Sequence, residues 1–232
     1  MSQRPSPEGR KARTRVLPET PCVVAIDGPA GAGKSTLARL VAEHLGLEWL
    51  DTGAMYRAVA YCALVKGIDP DDAAAVAKLA REIALDLGEK LKVDGGDVAE
   101  AIRAPRVDAA VSLVAANPEV RAEMVARQQA WVEEHGGGVV EGRDIGTVVF
   151  PDAHLKIYLT ASSEERARRR ALEDARQDLR AVTTALARRD KLDSTRAVSP
   201  LPSAQDVAAD AVVIDSTGLD AIEVLEEVLT WL

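Results

Sequence analysis

Aromatic residues are scarce: three tryptophans, three tyrosines and one phenylalanine make up 3% of the 232 residues. A platform that stacks single-stranded bases needs more rings than that, so this class of function is excluded. Two cysteines, Cys22 and Cys62, make neither a disulfide framework nor a zinc-ligand pattern. No apolar run approaches the ~20 residues of a bilayer span, and the charged N-terminus lacks the apolar stretch of a secretory signal. A cytoplasmic location is expected, with no membrane partner.

Positive charge is also in short supply. The net charge is −8, and residues 1–20 hold a local excess of three positive charges, so the other 212 residues sum to −11. Such a surface does not grip a nucleic-acid backbone, and no nucleic-acid partner is expected. Residues 1–21, rich in Pro, Ser and charge, have no periodicity and are expected to form a disordered basic leader.

What is present is a globular composition, 47% hydrophobic and 28% charged, long enough for one α/β domain with a small insert. CVVAID from Cys22 is short, apolar and β-branched, the mark of a strand buried on both faces. A helix over TLARLVAEHL follows, ended by Gly46, then a brief apolar piece, LEWLD, and helical spacing over DTGAMYRAVAYCALVKG. Asp71–Leu87 is expected to be an amphipathic helix, and Asp94-Gly95-Gly96 to turn a small hairpin. Asn117 and Pro118 predict a helix start that runs to the glycines at 136–138. VVEGRD, LKIYLT and AVVIDST then alternate with helices, and LDAIEVLEEVLTWL closes the chain. Alternating βα units predict a parallel sheet flanked by helices.

GPAGAGKS, Gly28 to Ser35, fits the phosphate loop G-x-x-x-x-G-K-[ST]. Its glycines bring backbone N–H groups against phosphate oxygens, Lys34 reaches the β- and γ-phosphates, and Ser35 can ligate Mg²⁺. The following helix adds its positive N-terminal end. A nucleoside triphosphate is expected at Gly28, Pro29, Ala30, Gly31, Ala32, Gly33, Lys34, Ser35 and Thr36. Asp27 is expected to orient the loop or a metal-bound water. The γ-phosphate could serve a switch, a motor or transfer to an acceptor. The string Asp190-Lys191-Leu192-Asp193 is no guanine reader, because it follows an arginine-rich helix rather than a buried strand.

Nine arginines against one lysine crowd residues 166–196. Arginine is favoured where several planar donors must meet a phosphate. A mobile arginine-bearing lid would offset repulsion between two polyanions and keep water from the γ-phosphate. His44, His135 and His154 all lie outside the motifs, which leaves no evident general base. A hydroxyl acceptor, as in a shikimate-type kinase, would call for one. A phosphate monoester acceptor would not, because it is already largely ionised at neutral pH. A regulatory P-loop switch is the alternative from another class.

IDGPAGAGKST, LDTGAMYR, IRAPRVDAAVSLVAANPEVRAEMVARQQ, EGRDIGTVVFPDAHLKIYLTASSEERARRR and RDKLDSTRAVSPL together resemble bacterial-type cytidylate kinases, from about Cys22 to the C-terminus. The resemblance implies a P-loop core with a five-stranded parallel sheet over 22–52, 136–163 and 197–232. It also implies an acceptor-binding insert over about 53–135 and a lid over about 164–196. The implied reaction is phosphoryl transfer from ATP with Mg²⁺ to CMP or dCMP, in pyrimidine nucleotide metabolism, by a monomer. The base-reading positions fall on Ser112, Arg121 and Asp144. A carboxylate suits the 4-amino donor of cytosine, where uracil presents an acceptor. The ribose-facing pair falls on Arg189 and Asp193. Arg57, Arg143 and Arg196, with Thr52 close by, would hold the acceptor phosphate, and Arg169 would reach the moving one. The lid and the hairpin region are shorter than in familiar members. Leu192 replaces an expected basic residue, and Glu141 stands where Asp is common.

Overall fold

Every residue of Cys22–Asp27 (β1) is buried, and its side chains alternate between two apolar layers. Val23 and Ala25 face one layer, whereas Val24 and Ile26 face the other, as the period of two along a strand requires. The protein, seen here in a computed structural model, is described over residues 22–88, 91–173 and 178–232. The leader expected over 1–21 and Arg176 lie outside these residues.

β1 is the centre of a five-stranded sheet of order β2-β6-β1-β7-β8. The other strands are Trp49–Asp51 (β2), Gly137–Gly142 (β6), Leu155–Thr160 (β7) and Val212–Asp215 (β8). All four pairings are parallel, as the βα alternation predicts. The chain runs from β1 to one side of the sheet, returns to the neighbouring β6, then crosses to β7 on the other side. Such a reversal opens a crevice at the carboxyl ends of the central strands.

Lys34–Leu45 (α1) and Ala221–Leu229 (α8) cover one face of the sheet. On the opposite face lie Thr52–Val65 (α2), Ala73–Glu82 (α3), Pro105–Ala116 (α4) and Pro118–His135 (α5). Asn117 caps α5 as its sequence predicts, its side chain accepting from Glu119 N at 3.0 Å. The arginine-rich stretch forms two helices, Ser163–Glu173 (α6) and Leu179–Thr195 (α7), which pack on each other while α7 also reaches α4.

One local expectation needs correction. The helix expected over Asp71–Leu87 is only Ala73–Glu82; Ile83 is extended, and Leu85–Leu87 is strand β3. The hairpin expected at Asp94-Gly95-Gly96 joins Leu91–Val93 (β4) to Gly96–Asp97 (β5), and β3 pairs antiparallel with β4 to make it a three-stranded sheet. Asp94 fixes the join, its N donating to Ala84 O at 2.9 Å and its side chain accepting from Ala84 N at 3.0 Å. The Leu-Asp-Leu alternation, hidden behind a strong helical pattern, was the local signal for it. The glycines at 136–138 do more than stop α5: Gly136 is its cap, and Gly137 and Gly138 already belong to β6.

Candidate active site

The phosphate loop leaves β1 at Gly28, where the backbone has φ +147°. A Cβ there would lie 2.0 Å from the Leu159 carbonyl oxygen of β7, so only glycine allows the loop to lie this close to the sheet. On its outer side the loop meets the root of α6. Arg166 donates to Ala30 O at 3.1 Å and pairs with Asp190 of α7 at 2.6 Å.

Lys34 opens α1 beneath the loop, its Nζ donating to Pro29 O at 2.8 Å. Burial lowers the pKa of its ammonium, and Arg143 pushes in the same direction. Glu141, at the end of β6, is driven the opposite way, raised by burial and by Asp51. Its Oε1 is buried with no hydrogen-bond partner, beside Ser35. An orphaned carboxylate oxygen next to a serine hydroxyl and Asp51 is an oxygen-only donor set of the kind Mg²⁺ takes, so the residues present fit that ion. Asp27 takes a different place from the expected one. Its carboxylate accepts from Ile145 N and Gly146 N, each at 2.8 Å, pinning β1 to the turn after β6. Burial raises Asp27 to about 6 against the pull of those two donors.

A cleft of 1150 Å³ extends from the phosphate loop between α2, α4 and α7. Ser35, Arg57, Ser112, Arg143 and Arg189 line it together with Lys34. Arg57 is buried on α2, where Nη1 donates to Ile102 O at 3.1 Å and Nη2 pairs with Asp108. Asp193 of α7 gathers three of the expected residues. Its carboxylate accepts from Ser112 Oγ at 3.2 Å and Arg143 Nε at 3.1 Å, and Arg189 Nε stands 3.8 Å away. Arg143, Arg189 and Arg196 outweigh burial and hold the Asp193 carboxyl below the usual range.

Asp144, Arg121 and Arg196 form a second knot that does not line the cleft. Asp144 pairs with Arg121 of α5, both side chains being buried, and Arg196 Nη2 stands 3.9 Å from the other Asp144 oxygen. Arg196 also donates to Ser199 O at 2.6 Å. A buried carboxylate has to be neutralised, and Arg121 does so here. Thr52 is committed too, its hydroxyl donating to Glu141 O at 2.7 Å and tying the start of α2 to the end of β6. Arg169 lines the cleft beside Gly33 and Lys34, anchored by the backbone around it. Its Nη1 and Nη2 are held by Ala32 O, Ser216 and Leu219 O at 2.7–3.3 Å, and its Nε by Glu165. It stands between the main cleft and a second cavity of 420 Å³ behind Gly33 and Thr36, lined also by Leu219 and Val224.

Sequence reasoning missed Asp108, which pairs with Arg57, Arg170 and Arg189. It also missed the buried Glu141, treated only as a variant of a familiar aspartate. Asp108 carried no signal beyond lying in IRAPRVDAAV, because its partners are distant in the chain.

A parallel sheet with a phosphate loop at the switch point, facing an arginine-lined cleft, defines a P-loop phosphotransferase. Residues 24–232 match the family model described as cytidylate kinase, and the chain belongs to that family. It is 49% identical over 215 residues to a "Cytidylate kinase" of Geobacillus kaustophilus, covering 89% of this chain and 94% of the relative. It is 50% identical over 221 residues to a "Bifunctional pantoate ligase/cytidylate kinase" of Synechococcus sp. WH7803, covering 90% of this chain but 44% of that one. The chain thus spans less than half the length of the bifunctional relatives it matches. Among solved structures, a gluconokinase from Sinorhizobium meliloti 1021 superposes with a TM-score of 0.51 at 13% identity, over 91% of both chains. That likeness concerns the fold alone. No helix among the described residues is long and apolar enough to cross a membrane.

Proposed function

We propose that this chain transfers the γ-phosphoryl group of ATP to CMP or dCMP, giving ADP and CDP or dCDP, as a cytoplasmic monomer serving pyrimidine nucleotide metabolism. One observation carries the reading: a single cleft joins the phosphate-loop lysine to a wall of arginines suited to a second phosphate-bearing substrate. Positioning and electrostatics suffice when the nucleophile is already a phosphate oxygen.

The triphosphate lies along Gly28–Thr36, with its base in the cavity behind Gly33 and Thr36. Lys34 leaves the Pro29 carbonyl for the phosphates, where the negative charge restores its affinity for a proton. Ser35, with Glu141 and Asp51 behind it, would hold Mg²⁺, which supplies charge neutralisation at the phosphate oxygens. Arg57, Arg143 and Arg189 take the acceptor phosphate, and Arg196 stands beside Asp144. The Asp144–Arg121 pair presents an acceptor beside a donor, which matches the amino group and the ring nitrogen on the pairing edge of cytosine and mismatches uracil. Ser112 and Asp193 complete the nucleoside wall. In this reading residues 22–52, 136–163 and 197–232 are the core, 53–135 the acceptor insert and 164–196 the lid.

ADP formation from Mg²⁺-ATP tests this, with CMP, dCMP, UMP, AMP and shikimate offered one at a time. Fast turnover is expected with CMP and dCMP. Turnover with shikimate, or hydrolysis indifferent to every acceptor, would overturn the reading.

A further inference from the structure

Asp108 stands in the first turn of α4, with its side chain 31% exposed and facing the cleft. It collects guanidinium groups from three separate elements. Arg57 of α2 pairs with Oδ1, Arg189 of α7 stands 3.3 Å from the same oxygen, and Arg170 of α6 stands 3.0 Å from Oδ2. All four side chains line the cleft. Burial alone would raise the Asp108 carboxyl, but Arg57, Arg189 and Arg170 outweigh it and hold the group below its ordinary range.

One anion ringed by N–H donors from three helices is the environment a phosphate monoester takes in a protein. Arg57 is buried and Arg189 nearly so, so neither can hand its charge to water. Buried cations without a counter-ion are costly; Asp108 supplies one for Arg57 and shares Arg189 with Asp193. The same carboxylate ties α6 and α7 to α4, drawing the lid helices over the acceptor side.

We propose that Asp108 is an internal stand-in for the acceptor phosphate, holding Arg57, Arg170 and Arg189 in the empty protein and yielding them when a nucleoside monophosphate arrives. This inference rests on reading the cleft as an acceptor site. The incoming phosphate carries more charge and more oxygens than the carboxylate and displaces it, while the carboxylate remains nearby as a competitor. Asp108 thereby sets acceptor affinity without touching the reacting atoms. A carboxylate that merely aimed the arginines at the phosphate would act in the opposite sense, since its loss would weaken acceptor binding.

The sign of the effect is the test. In D108N, which keeps the side-chain volume, KM for CMP is expected to fall about fivefold, the size of a competing ion pair removed from the apparent affinity. Inorganic phosphate, added as an inhibitor competing with CMP, is expected to bind more tightly in the same proportion. Asp108→Ala should move both quantities in the same direction. A KM for CMP that is unchanged or raised in both variants, with phosphate inhibition no tighter, would overturn the inference while leaving the kinase reading intact. Unaltered protein that turns over no nucleoside monophosphate would overturn both.

Discussion

The two halves of the cleft are built from different material. The donor half is backbone: a loop whose shape follows from Gly28 lying against the Leu159 carbonyl and from Arg166 gripping Ala30 O. The acceptor half is side chain: Arg57, Arg143, Arg189, Asp108 and Asp193, from three helices and the turn after β6, paired with one another. A backbone cradle exists before its ligand arrives, whereas a wall of ion pairs has to exchange partners to receive one. The first fixes a shape in advance, and the second can trade one anion for another.

Removing the lysine breaks the comparison most severely. Lys34→Ala is expected to cut kcat by about a thousandfold, as loss of a preorganised charge at a transferring phosphoryl group does. Steady-state ADP formation at saturating ATP and CMP measures it. Next comes the backbone itself: Gly28→Ala places a methyl group into the Leu159 carbonyl and should cost about 3 kcal/mol of stability, read by urea denaturation. On the acceptor side, Asp144→Asn leaves the volume intact and adds an amide donor that can face uracil. The ratio of kcat/KM for CMP over UMP is expected to fall about tenfold, with most of the change in UMP. An unchanged ratio would remove Asp144 from base reading.

The smallest effect concerns Asp27, raised to about 6 in the folded protein from an ordinary value near 3.8. Between these values the folded state holds the proton that the unfolded chain has released. Asp27 therefore favours the folded state below pH 4 and loses that advantage as the pH rises through 6, by of order 1 kcal/mol after solvent relaxation. Urea midpoints of the unaltered protein and Asp27→Asn, compared at pH 4.5 and 7, should show a smaller decline in the variant.

The donor half was legible in the sequence because its determinants are contiguous: a buried strand, glycines at fixed spacing, lysine, serine and a helix. The parallel sheet was legible for the same reason, each strand being a short apolar run between helices. β3 was missed because Leu85–Leu87 continues an amphipathic pattern that the chain abandons at Ile83 for tertiary pairing with Asp94. The acceptor half was named through family motifs, and its wiring was not visible. Nothing local says that Asp108 will meet Arg57, Arg170 and Arg189, or that Arg169 will turn to Ser216 and Leu219.

The carboxylate of Asp27 joins the residue before the phosphate loop to the two amides that follow Asp144. The phosphate loop and the turn that carries Asp144 hang from one peg. A shift at either end is transmitted to the other through two short hydrogen bonds, so substitutions in the two motifs should not combine independently. Swapping one segment for a homologous version without its counterpart should disturb both.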